Sequence, residues 1–129
     1  MNSQTKKVAL PKSKQTLFNK VATHLLTQKK RSASADGKCA YRLGSLKCAA
    51  GCLLPDDFDF KKYNYCCWTA LVNWNLVSSG HESLICELQH VHDKGAVKNW
   101  PAHLSNLSEK HNLTLPKILK DALKKEIDS

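Results

Sequence analysis

The segment Leu17-Phe-Asn-Lys-Val-Ala-Thr-His-Leu-Leu26 decides the fold class. Its apolar side chains recur at intervals of three and four residues, which places them on one face of an α helix. They are Leu17, Phe18, Val21, Ala22, Leu25 and Leu26. We therefore predict a helix of about four turns. Because one of its faces is apolar, other elements must pack against it.

The same spacing recurs in the C-terminal half of the chain. Residues 82–92 predict a second amphipathic helix. Trp100-Pro101 opens a third, because a proline in the first helical turn removes no hydrogen bond. A last helix is predicted to begin at Thr114 and to keep its lysines toward water.

The intervening residues are less regular. Residues 65–77 are the most apolar stretch, and their length favours a central buried helix over a strand. Residues 48–54 predict a short buried helix that ends at Pro55. Cys39-Ala-Tyr-Arg42 followed by Leu43-Gly-Ser-Leu46 indicates a small hairpin near residues 39–48.

These elements predict a mainly α fold with one small β-hairpin, a compact single-domain bundle of five or six helices. The 129 residues suffice for one domain with its own core. Residues 1–12 are polar and basic and contain Pro11, so we expect a flexible basic arm there and the helical domain over residues 13–129.

Positive charge is concentrated at the front of the chain. Residues 1–35 carry +8 with no acidic side chain, whereas the remaining residues carry +1. Such a segment attracts polyanions, and a solubilising tail is the alternative. The candidate contacts to nucleic acid or another partner are Lys6, Lys7, Lys12, Lys14, Lys20, Lys29, Lys30, Arg31 and Arg42.

The six cysteines and six histidines raise the question of a metal or thiol site. Only Cys48 and Cys52 have the short spacing of a zinc knuckle, and free cysteines within apolar runs usually pack in the core. No local signature of a cysteine nucleophile is present. We therefore predict no catalytic residue, metal or cofactor. A zinc- or thiol-dependent enzyme using Cys39, Cys48, Cys52 and a histidine stays open as an alternative.

The sequence also bears on location. Met1 to Pro11 has only a short apolar group, so it lacks the hydrophobic core of an export signal, and no stretch is long enough to span a membrane. We expect a cytoplasmic protein with reduced cysteines and no membrane partner. No glycine-rich phosphate loop is present, which argues against nucleotide-driven chemistry.

Several motifs carry a resemblance. They are Val21-Ala-Thr-His-Leu-Leu-Thr-Gln28, Cys39-Ala-Tyr-Arg42, Leu46-Lys-Cys-Ala-Ala-Gly-Cys-Leu-Leu-Pro-Asp-Asp57, and Leu88-Gln-His-Val-His-Asp93 with Trp100. Over most of residues 17–113 the chain resembles a family of small bacteriophage and prophage proteins with no assigned activity. The resemblance implies a setting in the host cytoplasm during infection.

The leading functional expectation is a non-enzymatic phage-type accessory protein that binds a polyanionic or nucleoprotein target through its basic N-terminal region. Nucleic acid, a ribonucleoprotein or a host protein is the expected partner. An inhibitor of a host defence system, such as a CRISPR effector, is one concrete form, by association with the phage setting. A protein–protein inhibitor that uses an apolar face is a further alternative.

Overall fold

The structure is a computed structural model that describes residues 7–34, 40–94 and 96–128. Over these ranges the chain forms six α helices and one antiparallel hairpin, which confirms the mainly α prediction. The elements are α1 (Lys14–Gln28), β1 (Arg42–Leu43), β2 (Leu46–Lys47), α2 (Phe60–Tyr63), α3 (Trp68–Asn73), α4 (Glu82–Lys94), α5 (Trp100–Lys110) and α6 (Lys117–Asp128). None of the helices in the described ranges has the length and apolarity that a membrane crossing requires.

Helix α1 is the centre of the bundle and contacts α4, α5 and α6. It begins where the Ser13 side chain accepts a hydrogen bond from the Thr16 N–H, and it ends at Lys29, whose φ of 54° is left-handed. All six apolar residues that predicted this helix are buried in the core. The predictions for α4 and α5 are confirmed as well, and α6 begins at Lys117, three residues after the predicted start.

The predicted long buried helix over residues 65–77 is wrong. Only Trp68–Asn73 are helical, and Asn75, with φ 65°, reverses the chain soon afterwards. Val77 then leaves the helical path and pairs with Val8, whose N–H donates to the Leu76 carbonyl over 2.9 Å. The helix does not continue, because the Leu76 carbonyl and the Ser78 N–H form backbone hydrogen bonds with Val8 instead.

Because of this pairing, the segment before α1 packs against residues 76–81. The Ser78 N–H donates to the Val8 carbonyl over 3.1 Å, and the Lys12 carbonyl accepts from His81 Nε2 over 3.0 Å. Val8, which belongs to the predicted arm of residues 1–12, therefore contacts the body of the fold. The flexible arm and the boundary after residue 12 stay predictions, and residues 1–6 lie outside the described ranges.

The hairpin is confirmed, with Arg42 opposite Lys47 and Leu43 opposite Leu46. Its two-residue turn starts at Gly44, whose φ of 61° suits glycine. Behind it, the predicted helix over residues 48–54 is a single 3₁₀ turn, Gly51–Leu53. Gly51 lies so close to Tyr41, the residue before β1, that a Cβ atom at position 51 would overlap the Tyr41 carbonyl oxygen.

A buried histidine connects the helices. His92 of α4 is fully buried, and its Nε2 accepts a hydrogen bond from the Ser32 N–H over 3.0 Å. Because a backbone N–H only donates, the ring proton lies on Nδ1, which donates to Asp93 Oδ1 over 2.8 Å. The ring also stacks on Trp100, the first residue of α5, with 5.6 Å between ring centroids.

Gly51→Ala is expected to destabilise the fold by about 3 kcal/mol or more, because the added methyl group overlaps the backbone of Tyr41. Gly80→Ala is the matched control, since no heavy atom lies within 4 Å of a Cβ at that position. It should change stability by less than about 0.5 kcal/mol. Denaturant unfolding measures both, and equal effects would contradict the close approach.

His92→Ala is expected to cost about 3 kcal/mol, because it leaves a cavity and removes the acceptor of the Ser32 N–H. His90→Ala on the same helix serves as the control, since His90 is exposed. Its effect should stay below about 0.5 kcal/mol. Similar unfolding free energies for the two variants would show that the buried contact is not a major source of stability.

Candidate functional site

The structure distributes the predicted cations over separate surfaces rather than one patch. Lys7 and Lys20 line a common groove. Lys12 and Lys14 are exposed near the start of α1, where Lys14 Nζ lies 3.4 Å from His111 Nδ1. The sequence did not predict these separate surfaces, because the number of lysines does not tell to which surface of the folded protein each side chain belongs.

Three further predicted cations, Lys29, Lys30 and Arg31, follow the C-terminal end of α1. Lys29 lines a groove of about 520 Å³ together with Lys98, Lys125, Asp121 and apolar side chains such as Trp100. We call it the apolar groove. Lys30 is exposed and Arg31 is half-buried, whereas Lys6 lies outside the described residues.

An open groove of about 440 Å³ between α1 and the hairpin has the most uniform chemistry. Its lining is polar or basic throughout and, among the described residues, includes no carboxylate. We call it the basic groove, and its residues are Lys20, Thr23, His24, Thr27, Gln28, Ser45 and Lys47. Two ammonium groups and three hydroxyl groups without a competing acid suit an anionic ligand.

Side chains of α1 hold Lys47 in this groove. Gln28 accepts from the Lys47 N–H over 2.9 Å and donates to the Lys47 carbonyl over 2.8 Å, as a neighbouring strand would. His24 Nε2 donates to the same carbonyl over 2.8 Å. Sequence reasoning missed Lys47, because its place beside Lys20 depends on this packing of the hairpin against α1.

The electrostatic environment of His24 follows from the same contacts. Burial lowers its pKa below the ordinary value of 6.5, and the positive charge of Lys47 acts in the same direction, while the hydrogen bond to the Lys47 carbonyl opposes them. The neutral imidazole is therefore the form that the fold favours.

A second groove, of about 780 Å³, adjoins the first at Lys20, which lines both. We call it the aromatic groove, because Phe58 and Tyr63 line it beside Lys7, Lys20, Asp57 and Asp59. Tyr63 also contacts Trp74, with 5.8 Å between ring centroids. Sequence reasoning placed Trp74 in a buried helix, and no local signal marks it as exposed.

Arg42, one of the predicted partner contacts, has several contacts within the fold. Its guanidinium donates to Asp56 Oδ1 over 2.8 Å and to the Leu54 carbonyl over 2.7 Å, and its carbon lies 4.6 Å from the centre of the Phe60 ring. The hydrogen bond from Arg42 lowers the pKa of Asp56. These contacts hold the hairpin to the following turn, so the fold uses this guanidinium.

The cysteines of the alternative enzyme hypothesis are in unreactive surroundings. Cys48 Sγ accepts from the Gly51 N–H over 3.2 Å, and Cys52 Sγ donates to the Ala49 carbonyl over 3.1 Å. Burial raises the pKa of Cys48 to about 12 and that of Cys52 to about 11. Both therefore stay protonated, whereas a nucleophile or metal ligand needs the thiolate.

A metal centre also lacks a ligand set in the described part of the chain. No group of three or more histidine, cysteine and acidic side chains within residues 7–34, 40–94 and 96–128 is arranged to hold an ion. Cys39, the third cysteine of the hypothesis, lies outside these ranges.

Ser32, His92 and Asp93 resemble a hydrolytic triad in residue type but not in geometry. The serine N–H, not its hydroxyl, meets the imidazole, and Ser32 Oγ donates to the Ala40 carbonyl over 2.7 Å. Ser32 and His92 are also fully buried. A nucleophile needs an exposed hydroxyl that the imidazole can deprotonate, so this cluster serves the fold.

Comparison of the chain with protein-family models, with curated proteins and with solved structures yields no match. Inference about function therefore depends on the geometry and charge of the described side chains.

Acidification is expected to destabilise the protein through His24. Its folded-state pKa lies below the unfolded value of 6.5, so the folded state binds fewer protons, and this contribution to stability is present above pH 6.5 and lost as the pH falls. His24→Gln keeps a donor for the Lys47 carbonyl but does not titrate. Between about pH 7.5 and about pH 5 the wild type should lose more unfolding free energy than this variant, and parallel curves would contradict the prediction.

Proposed function

We propose that the chain is a non-enzymatic protein that binds a polyanionic target, nucleic acid or a ribonucleoprotein, through the basic groove and the neighbouring Lys7. The observation that carries the proposal is the pairing of Lys20 with Lys47 in a groove whose described lining has no carboxylate. Unopposed cations near hydroxyl donors match the chemistry of a phosphate backbone.

The groups in the groove favour binding that depends weakly on sequence. Lysine ammonium groups act as point charges, and the hydroxyls of Thr23, Thr27 and Ser45 both donate and accept. Such contacts position a phosphate backbone without identifying bases. The affinity should therefore depend steeply on salt concentration, because bound lysines release counterions from the nucleic acid.

The resemblance to small phage proteins supports a more concrete form of this proposal. A protein made during infection and acting in the host cytoplasm meets nucleoprotein machines of the host. An inhibitor of a host defence system such as a CRISPR effector is one such form, because the effector carries RNA and so offers phosphates to the basic groove. This form follows by association from the implied phage setting, and the positive charge of the basic groove is compatible with it.

A protein–protein inhibitor is the second candidate function. The apolar groove supports it, because three lysines, Lys29, Lys98 and Lys125, line it with one acid, Asp121, beside mostly apolar side chains. Such a groove suits an acidic amphipathic segment of a protein partner. Here the basic groove would be idle, so the two candidates predict different effects of Lys20 substitutions.

Lys20→Gln and the double variant Lys20→Gln with Lys47→Gln are expected to weaken binding to generic DNA and RNA. Each lost phosphate contact should make the slope of log affinity against log salt shallower by about 0.7 to 0.9. Lys124→Gln, an exposed position on α6, is the control for net charge. Fluorescence anisotropy across a salt series measures all four proteins.

Two results would contradict the polyanion proposal. One is the absence of any binding at about 50 mM salt, where backbone contacts are strong. The other is an equal loss of affinity in the Lys124→Gln control, which would assign the attraction to overall charge rather than to the basic groove.

A further inference from the structure

Trp74 is the most unusual exposed side chain of the described residues. It is 55% exposed, whereas Trp68 and Trp100 are 3% and 0% exposed. It follows the last residue of α3 and precedes Asn75, whose positive φ turns the chain, so a short rigid turn holds its backbone. Tryptophan is enriched at interfaces, because its large apolar ring also carries an N–H that can donate a hydrogen bond.

Trp74 is the outer end of a row of four aromatic rings. The centroid distances are 5.3 Å from Phe60 to Phe58, 5.8 Å from Phe58 to Tyr63 and 5.8 Å from Tyr63 to Trp74. Arg42 covers the inner end, over Phe60. The row is thus closed at one end by a cation and exposed at the other, where a further ring can be added.

Cations accompany this row along the aromatic groove. Lys62 Nζ lies 5.3 Å from the centre of the Tyr63 ring, and Lys7 and Lys20 line the groove together with Phe58 and Tyr63. Because Lys20 also lines the basic groove, the two grooves meet at that residue, and Trp74, which lines neither of them, contacts the aromatic groove through Tyr63. Proteins that bind single strands combine these two features, with lysines on the backbone and aromatic rings under the bases.

A duplex cannot use the exposed ring in this way, because its bases are stacked on one another and paired. The two carboxylates of the groove fit the same arrangement. Asp59 Oδ1 accepts from the Lys62 N–H over 3.1 Å and is fixed there, and Asp57 is exposed beside it. Their charge repels phosphates, so we expect the backbone of a bound strand along the basic groove, whose described lining has no carboxylate.

We propose that the target is single-stranded nucleic acid, whose phosphates lie along Lys20 and Lys47 while a base stacks on Trp74. This inference rests on the proposed polyanion-binding function. The proposal assigns the chemical class of the ligand and a stacking residue, and it predicts a preference for single strands over duplexes of equal length.

The test compares Trp74→Ala with Tyr65→Ala. The two side chains are equally exposed, at 55%, but Tyr65 lies outside the row and lines a different cavity, with Cys66 and Cys86. Binding of an oligothymidine and an oligouridine of about 12 nucleotides is measured by anisotropy next to a duplex of that length. Trp74→Ala should weaken single-strand binding by about 5- to 150-fold and leave duplex binding unchanged, whereas Tyr65→Ala should change neither.

Two further measurements, tryptophan fluorescence and the affinity of a groove charge variant, distinguish stacking on Trp74 from a purely structural role of this residue. Because Trp68 and Trp100 are buried, a stacked base should quench chiefly Trp74, and Trp74→Phe should abolish the quenching while retaining most of the affinity. Asp57→Asn should tighten binding, since it removes a repulsive charge from the groove.

The outcomes separate this inference from the proposed function. If Trp74→Ala leaves single-strand affinity unchanged, or if the duplex binds at least as tightly as the single strand, the stacking inference is overturned, while salt-dependent binding weakened by Lys20→Gln still supports the polyanion proposal. If no oligonucleotide binds at low salt, both fail. If Trp74→Ala instead abolishes binding to a purified protein partner without nucleic acid, the aromatic row is a protein interface and the inference is wrong.

Discussion

The hydrogen bond from the Ser32 N–H to the buried imidazole of His92 is the contact on which the relative placement of α1, the hairpin and α4 depends. Ser32 follows α1, and two further hydrogen bonds tie it to Ala40, just before β1, over 2.8 Å and 2.7 Å. The chain that leaves α1 and the chain that enters the hairpin are thus fixed to the same point on α4. Asp93 and Trp100 complete the surroundings of the ring, so this buried polar group has its hydrogen bonds made and an aromatic neighbour.

The hairpin depends on this anchor and on two amide side chains. A two-stranded hairpin alone is marginally stable, and its outer edges expose unpaired backbone groups. Here Asn64 exchanges two hydrogen bonds with the backbone of Arg42, over 2.9 Å and 2.8 Å, and Gln28 does the same with Lys47 on the other side. Each amide therefore takes the place of a neighbouring strand. The second of them also brings Lys47 beside Lys20, so the contact that stabilises the hairpin creates the basic groove.

Sequence patterns predicted the parts of the fold that depend on local spacing. The apolar faces of α1, α4 and α5 and the glycine of the hairpin turn are local signals, and the structure confirms them. The apolar run over residues 65–77 was misleading, because run length does not reveal that Asn75 adopts a left-handed conformation or that Val77 pairs with Val8. No local pattern predicts the structural role of His92, since its partner Ser32 is 60 residues away in the sequence.

The positive charge of the candidate site was predictable from the sequence, but its position on the fold was not. The excess of +8 in residues 1–35 indicated a polyanion partner, yet the basic groove takes one lysine from that segment and Lys47 from the nearly neutral remainder. Arg42, Gly51 and His92, which lie in the stretches on which the phage resemblance depends, make contacts that hold the fold together. Lys20, Tyr63 and Trp74 lie outside those stretches, whereas Thr23, Thr27 and Lys47 of the basic groove lie inside them. A scaffold shared with other proteins would therefore not by itself imply a shared target, because Lys20 and the stacking residue Trp74 are separate from the residues that build the scaffold.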